Sequence, residues 1–218
     1  MAVIGSGVYV DGRRVAADVS PLDAIQEARE RGGMVWVGLK DPVSDDLQSI
    51  AGVLGLHPLA VKDCLRGHQR AKLEQFGDAT FLVLQPAHYI DETETVECRE
   101  IDLFIGPDYI VTVQRDAMID IDVVRERLEE HPEILAKGSY GVLWAVLETV
   151  VLGYIPVLDG VENDIDEIEH QLFQQESTVS RRIFGLQREV IDLQHATGPL
   201  VGMLDRLQDI VVERSGQR

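Results

Sequence analysis

The sequence feature that most constrains the fold is a heptad repeat towards the end of the chain. Its members recur at alternating spacings of four and three: Val179, Ile183, Leu186, Val190, Leu193, Thr197, Leu200, Leu204, Leu207 and Val211. This spacing predicts a long helix that packs lengthwise against another helix. A matching repeat precedes it: Leu158, Val161, Ile165, Ile168 and Leu172. We therefore predict two long antiparallel helices over residues 139–218, and, since no glycine closes the second directly after its repeat, we expect the natural protein to continue.

The residues before this helical part, 1–138, predict an α/β domain. Asp11-Gly12 predicts the turn of a hairpin, Ser20-Pro21 predicts the start of a helix, and Ser44 is the expected cap of another. Strand patterns then follow one another at residues 72–76, 79–89, 96–105 and 109–114. Strands in direct succession, joined by turn residues, indicate a mixed and largely antiparallel sheet.

The charge of the chain restricts its partners. Thirty-eight acidic residues against 20 basic ones give a formal net charge of -18. A nucleic-acid partner is disfavoured, because phosphate binding needs a concentrated basic surface. The excess of carboxylates fits either binding of divalent cations or ordinary solubility. Cys64 and Cys98 form no metal-binding motif and indicate a reducing compartment, and the N-terminus shows no signal peptide.

One apolar segment, residues 141–158, requires comparison with a membrane span. The segment contains a single charged residue, Glu148. Its length is at the lower limit for crossing a bilayer. A carboxylate near the middle is costly in lipid, and Gly153 and Pro156 weaken a span further. We therefore interpret the segment as a helix that is buried in the protein.

No catalytic motif supports an enzyme. The chain lacks a phosphate-binding P-loop, a zinc-protease HExxH and a GxSxG nucleophile motif. The six histidines, at 57, 68, 88, 131, 170 and 195, show no paired ligand spacing on one helix face. We predict no enzymatic activity and no catalytic residue.

An ordered set of short motifs carries a family resemblance. The first two are Gly55-Leu56-His57-Pro58-Leu59-Ala60-Val61-Lys62-Asp63 and Gln69-Arg70-Ala71-Lys72-Leu73-Glu74. Further matches are Trp36-Val37-Gly38-Leu39, Phe81-Leu82-Val83-Leu84, Ile110-Val111-Thr112-Val113, Tyr154-Ile155-Pro156-Val157-Leu158 and Gly198-Pro199-Leu200. In this order, and over nearly the whole chain, the set resembles the cytoplasmic domain of the CorA family of divalent-cation channels.

The resemblance implies an α/β/α sandwich joined to long helices, in a funnel-shaped homopentamer. It places the protein in the cell (inner) membrane, with this portion facing the cytoplasm. It also implies that the last helix continues into the pore, and that Mg²⁺, with Co²⁺ or Ni²⁺ as further ions, is both transported and sensed. The glycine-methionine-asparagine loop by which the family selects its ion is not in this chain, because Gly202-Met203-Leu204 lacks the asparagine.

By the same resemblance, Asp63 corresponds to the carboxylate with which the family senses Mg²⁺ between neighbouring protomers. The sequence departs from the family at two nearby positions: Lys62 precedes Asp63, and Leu152-Gly153 stands where relatives carry acidic residues. Asp63 is therefore our single predicted metal ligand, with a helix-surface carboxylate as the alternative. A second acidic group is interpreted as a solvated helix face: Asp159, Glu162, Asp164, Asp166, Glu167 and Glu169.

Three functions remain open on the sequence. The first is a regulatory domain that senses intracellular divalent cations and gates a CorA-like channel. The second is the zinc-transporting branch of the same superfamily, with Zn²⁺ as the ion, and the third is a soluble coiled-coil adaptor. Arg70 and Lys72 have the character of anion ligands, but we favour salt bridges at a strand edge for both. Without its membrane part, we expect this chain to be monomeric or dimeric.

Overall fold

The computed structural model describes residues 3–17, 19–115, 119–174 and 179–215, which form nine strands and eight helices. The strands are β1 (Val3–Val10), β2 (Arg13–Ala17), β3 (Met34–Lys40), β4 (Lys72–Phe76), β5 (Ala79–Leu84), β6 (Ala87–Ile90), β7 (Thr95–Cys98), β8 (Ile101–Ile105) and β9 (Tyr109–Gln114). The helices are α1 (Pro21–Arg31), α2 (Ser44–Leu54), α3 (Pro58–Arg66), α4 (Ile121–Glu129), α5 (Pro132–Leu135), α6 (Ser139–Phe173), α7 (Val179–Thr197) and α8 (Leu200–Ser215).

Seven strands form one sheet in the order β2-β1-β3-β9-β8-β5-β4, and β6 and β7 form a separate antiparallel pair. Within the large sheet, β3 and β9 are parallel and the other neighbouring strands are antiparallel. The predicted hairpin is confirmed: Asp11 and Gly12 turn between β1 and β2 with positive φ angles of 49° and 76°. Such angles are why Asp-Gly is favoured in two-residue turns.

Helices cover both faces of the large sheet. Residues of β3 alternate between the faces, so Val35 and Val37 join one core with α1, α2 and α3, while Trp36 joins the other core with α4 to α8. The predicted α/β/α sandwich with a mixed, largely antiparallel sheet is therefore confirmed. The boundary between residues 138 and 139 stays a prediction.

Two predicted strands are divided in the structure. The strand expected over residues 79–89 breaks into β5 and β6 at Gln85-Pro86, and that expected over 96–105 breaks into β7 and β8. Proline cannot donate to a strand ladder, so Pro86 marks where the chain leaves the large sheet. The predicted cap of α2 is also wrong, because Ser44 is its first helical residue and Val43 occupies the cap position.

The predicted last helix is divided as well. α7 ends at Thr197 and α8 begins at Leu200, since Pro199 between them has no N–H for a helical hydrogen bond. The buried residues across this break are Leu193, Ala196, Leu200, Met203, Leu207 and Ile210. Leu193, Leu200 and Leu207 belong to the predicted repeat. The other three buried residues each lie one position before the predicted member, which was Thr197, Leu204 or Val211. These helices contact β7 and β4 besides α6, so their buried face is not the narrow seam of two paired helices.

Helix α6, of 35 residues, is the one helix among the described residues that is long and apolar enough to cross a membrane. One side of it packs into the core through Val146, Val150, Tyr154 and Val157. The opposite side, which we call the outer stripe, is exposed and apolar: Trp144, Val151, Leu152, Ile155, Leu158, Ile165 and Leu172. The apolar segment is therefore buried on one side only, and three members of the first predicted repeat belong to the exposed side.

Candidate metal-binding site

Asp63 lies near the C-terminal end of α3. The His57 side chain caps this helix by accepting a hydrogen bond from the N–H of Leu59 (3.3 Å), and Pro58 follows at the start of the first turn. The helix presents Val61 and Cys64 to the core, which leaves the Asp63 carboxylate half-exposed on its flank.

Lys72, the first residue of β4, pairs with Asp63. Its Nζ donates hydrogen bonds to Asp63 Oδ2 and, over 3.0 Å, to Glu74 Oε1. Burial lowers the pKa of Lys72, but its hydrogen bonds to Asp63 and Glu74 raise it, and the net pKa is above the ordinary lysine value. The ammonium is therefore charged, and the salt bridge predicted for Lys72 is confirmed. No ion pair of Arg70 is found within the described residues.

This arrangement defines what the site can do chemically. Carboxylate oxygens are preferred ligands of Mg²⁺, and here two carboxylates, Asp63 and Glu74, meet at one cation. That cation is the protein's own ammonium, so a metal ion must displace Lys72 to use both carboxylates. Of these two carboxylates, only Asp63 was predicted from the sequence. Glu74 lies beside Lys72 because the two residues are two positions apart on β4 and so share one face of the strand.

At the two positions where the sequence departs from the family pattern, the structure supplies no replacement carboxylate beside Asp63 from the same chain. Lys62 is exposed next to Asp63, and positions 152 and 153 of α6, where relatives carry acidic residues, hold Leu152 and Gly153. Moreover, α3 and α6 pack against opposite faces of the large sheet. The role of Asp63 as a metal ligand stays a prediction.

A second carboxylate group surrounds the guanidinium of Arg182. Among the described residues, oxygens of Glu94, Asp164 and Glu167 lie within 4.8 Å of one another, close enough to hold a metal ion. Arg182 occupies the position of that ion: it donates to Glu94 and Glu167 over 2.9 Å each and lies 3.7 Å from Asp164. A positive charge that belongs to the protein therefore satisfies this group.

The Arg182 group joins three parts of the fold. Glu94 is in the β6–β7 turn, Asp164 and Glu167 are on α6, and Arg182 is on α7. Tyr89 of β6 also donates a hydrogen bond to Asp164 (2.7 Å), and its ring lies on Gly160, where a Cβ would come within 2.4 Å. The solvated-face interpretation is thus wrong for Asp164, which is buried. The other members of that acidic group are exposed: Asp159, Glu162, Asp166, Glu167 and Glu169.

A third group of carboxyls, which is a pair, was not predicted from the sequence. Glu100 and Asp102, at the start of β8, are buried, and both Asp102 oxygens lack a hydrogen-bond partner among the described residues. Burial, together with the charge of Glu100, raises the pKa of Asp102 to about 8. Burial also raises the pKa of the Cys64 thiol beneath α3. Strand alternation puts Asp102 on the face that holds Cys64, but no local motif marks a buried acid.

The fold and the site together define a class: an α/β/α domain extended by long helices, with a half-exposed carboxylate, Asp63, on the helix that follows the Gly-Leu-His-Pro motif. The chain belongs to the family described as CorA-like Mg²⁺ transporter protein, whose family model matches residues 31–217. The family assignment made from the sequence is confirmed.

Individual proteins agree with this assignment. The chain is 29% identical to the putative metal ion transporter YfjQ of Bacillus subtilis, over 79% of this chain and 53% of that protein. It is 25% identical to the cobalt/magnesium transport protein CorA of Thermotoga maritima, over 85% and 54% respectively. The soluble domain of CorA from Methanocaldococcus jannaschii has the same fold, with a TM-score of 0.64 at 15% identity over 90% of this chain and 76% of that one. The chain spans about half the length of the Bacillus subtilis and Thermotoga maritima proteins.

Proposed function

We propose that this chain is the cytoplasmic regulatory domain of a divalent-cation transport channel in the inner membrane, and that it senses Mg²⁺ through Asp63. Membership of the family supports the transport class and argues against a soluble adaptor. The observation that carries the sensing role is that Asp63 and Glu74 both bind one ammonium. A place that already holds a cation between two carboxylates is suited to exchange it for a metal ion.

The outer stripe of α6 supports assembly of several copies. Apart from Leu152, its apolar residues follow one another at spacings of seven, four, three, seven and seven, which is the pattern of a helix packed against a helix. A contiguous patch of exposed apolar side chains marks an interaction site. We infer that a helix of a neighbouring copy covers the stripe in a homo-oligomer, with the pentamer as the form in the whole transporter.

Calorimetric titration of Mg²⁺ and then Zn²⁺ into the wild type, Asp63→Ala and Lys72→Met tests the sensing role. We expect weak, saturable binding to the wild type, loss of binding in Asp63→Ala, and about tenfold tighter binding in Lys72→Met. The gain follows because methionine removes the positive charge that repels the incoming ion and leaves both carboxylates unpaired. The relative affinities separate a magnesium sensor from the zinc-transporting branch.

Lys40→Met is the matched control, since Lys40 is an exposed lysine at the end of β3 and its loss changes the net charge equally. Binding to Asp63→Ala with wild-type affinity would remove Asp63 from the site. An equal gain in Lys72→Met and Lys40→Met would show that total charge alone, and not the position of Lys72, sets the affinity.

A further inference from the structure

A second site is indicated by a concave surface that lies beside Asp63 but contains no carboxylate. The cavity has a volume of about 590 Å³, within the range of small-molecule sites. Its lining residues are Arg66, Gly67, His68, Gln69, Arg70 and Lys72. The chain has nearly twice as many acidic as basic residues, yet three cationic side chains and an imidazole line this cavity.

The positive charge of this cavity is mostly unneutralised. The side chains of Arg66, His68 and Arg70 are exposed, and the structure gives them no hydrogen bond or ion pair within the described residues. Lys72 is paired with Asp63 and Glu74, so it contributes less. We therefore replace the predicted salt bridge of Arg70 with the alternative that the sequence also left open, namely that Arg70 is an anion ligand.

Hydrogen bonds to the rest of the domain hold the loop that lines this cavity. The Gln69 N–H donates a hydrogen bond to the buried Glu100 carboxylate, and Gln85 Nε2 donates to the Gln69 carbonyl (3.1 Å). The Gly67 N–H donates to the Asp63 carbonyl (3.1 Å), which ends α3. His68 has a φ of 56°, an angle that a residue with a side chain adopts only when its surroundings hold it. The backbone is thus ordered before any ligand arrives, which lowers the entropic cost of binding.

We propose that this cavity, the loop cavity, binds a small soluble anion that bears two or more phosphate groups, such as a nucleoside diphosphate. Guanidinium groups bind phosphate oxygens in a bidentate manner, and Arg66 and Arg70 supply two of them at the cavity. A cavity of this size holds more than one phosphate group. The inference does not depend on metal binding at Asp63, because within the described residues no ion pair joins Asp63 to Arg66 or Arg70.

Titration of ADP and of inorganic pyrophosphate, with EDTA present and at low salt, tests the proposal. The variants are Arg66→Ala/Arg70→Ala and the control Arg181→Ala/Arg188→Ala, which removes two exposed arginines of α7 and so changes the net charge equally. We expect saturable binding to the wild type, at least tenfold weaker binding to the loop-cavity variant, and a change of less than twofold in the control.

Several results would overturn the proposal. The first is the absence of saturable binding to the wild type, and the second is wild-type affinity in Arg66→Ala/Arg70→Ala. The third is an equal loss of affinity in the two double variants. Phosphatidylglycerol vesicles are titrated in parallel. Binding to vesicles without binding of ADP or pyrophosphate would assign the cations to a membrane surface and would likewise contradict the proposal. Because EDTA excludes divalent ions, failure here leaves the result for Asp63 unaffected.

Discussion

Replacing Arg182 with methionine should lower the free energy of unfolding by about 2–3 kcal/mol. The change removes the guanidinium that pairs with Glu94, Asp164 and Glu167 and leaves the buried Asp164 carboxylate without this cation. Removing one partner of a buried ion pair costs 3–5 kcal/mol, and the exposure of Glu94 and Glu167 reduces the figure here. Urea unfolding at neutral pH measures the difference.

Arg188→Met is the control for this result, since Arg188 is an exposed arginine of the same helix. It should change the free energy of unfolding by less than about 0.5 kcal/mol, as substitutions at exposed positions usually do. A loss of stability in Arg182→Met no larger than that in Arg188→Met would show that the carboxylates around Arg182 do not depend on it.

The stability of the wild type should fall by about 2 kcal/mol or more between pH 5 and pH 8, and Asp102→Asn should remove most of this fall. The pKa of Asp102 is about 8 in the folded protein, raised by burial and by Glu100, against about 3.9 in an unfolded chain. Between these values the folded state retains a proton that the unfolded state releases. Stability therefore decreases as the pH rises and levels off above the folded pKa.

Urea unfolding at pH 5, 6.5 and 8 measures this effect. At pH 8, Asp102→Asn should be more stable than the wild type. An amide does not ionise, so it introduces no buried charge, and it can donate a hydrogen bond to the Glu100 carboxylate. Asp108→Asn, in the exposed turn before β9, serves as the control and should follow the wild-type profile. A parallel pH dependence in the wild type and Asp102→Asn would contradict the raised pKa.

Local signals predicted those elements whose ends are encoded by adjacent residues. Helix α1 begins where the Ser20 side chain accepts from the Asp23 N–H and ends at Gly32 in the left-handed conformation, and both signals are in the sequence. The divisions at Gln85-Pro86 and Gly198-Pro199 were missed, although each contains a proline. In both cases an uninterrupted apolar pattern outweighed the single residue that breaks it.

The candidate site was predictable only in part, because its partners are distant in sequence. Family resemblance identified Asp63, but its ion pair with Lys72, which also binds Glu74, requires α3 to pack beside β4. The Arg182 group joins residues that are up to 88 positions apart, so no spacing rule reveals it. The burial of Asp102 likewise depends on the register of β8 between β5 and β9.

We propose that Mg²⁺ acts through Asp63 on the assembly of this domain. The most direct test of this proposal is the solution mass of the wild type, Asp63→Ala and Leu158→Glu at micromolar protein, with and without millimolar Mg²⁺. We predict a monomer or dimer without metal and a larger assembly of the wild type with Mg²⁺. Neither variant should show this increase, since one lacks the ligand and the other places a charge on the outer stripe. A sharp pentamer without metal, or a wild-type mass that Mg²⁺ does not change, would contradict the account.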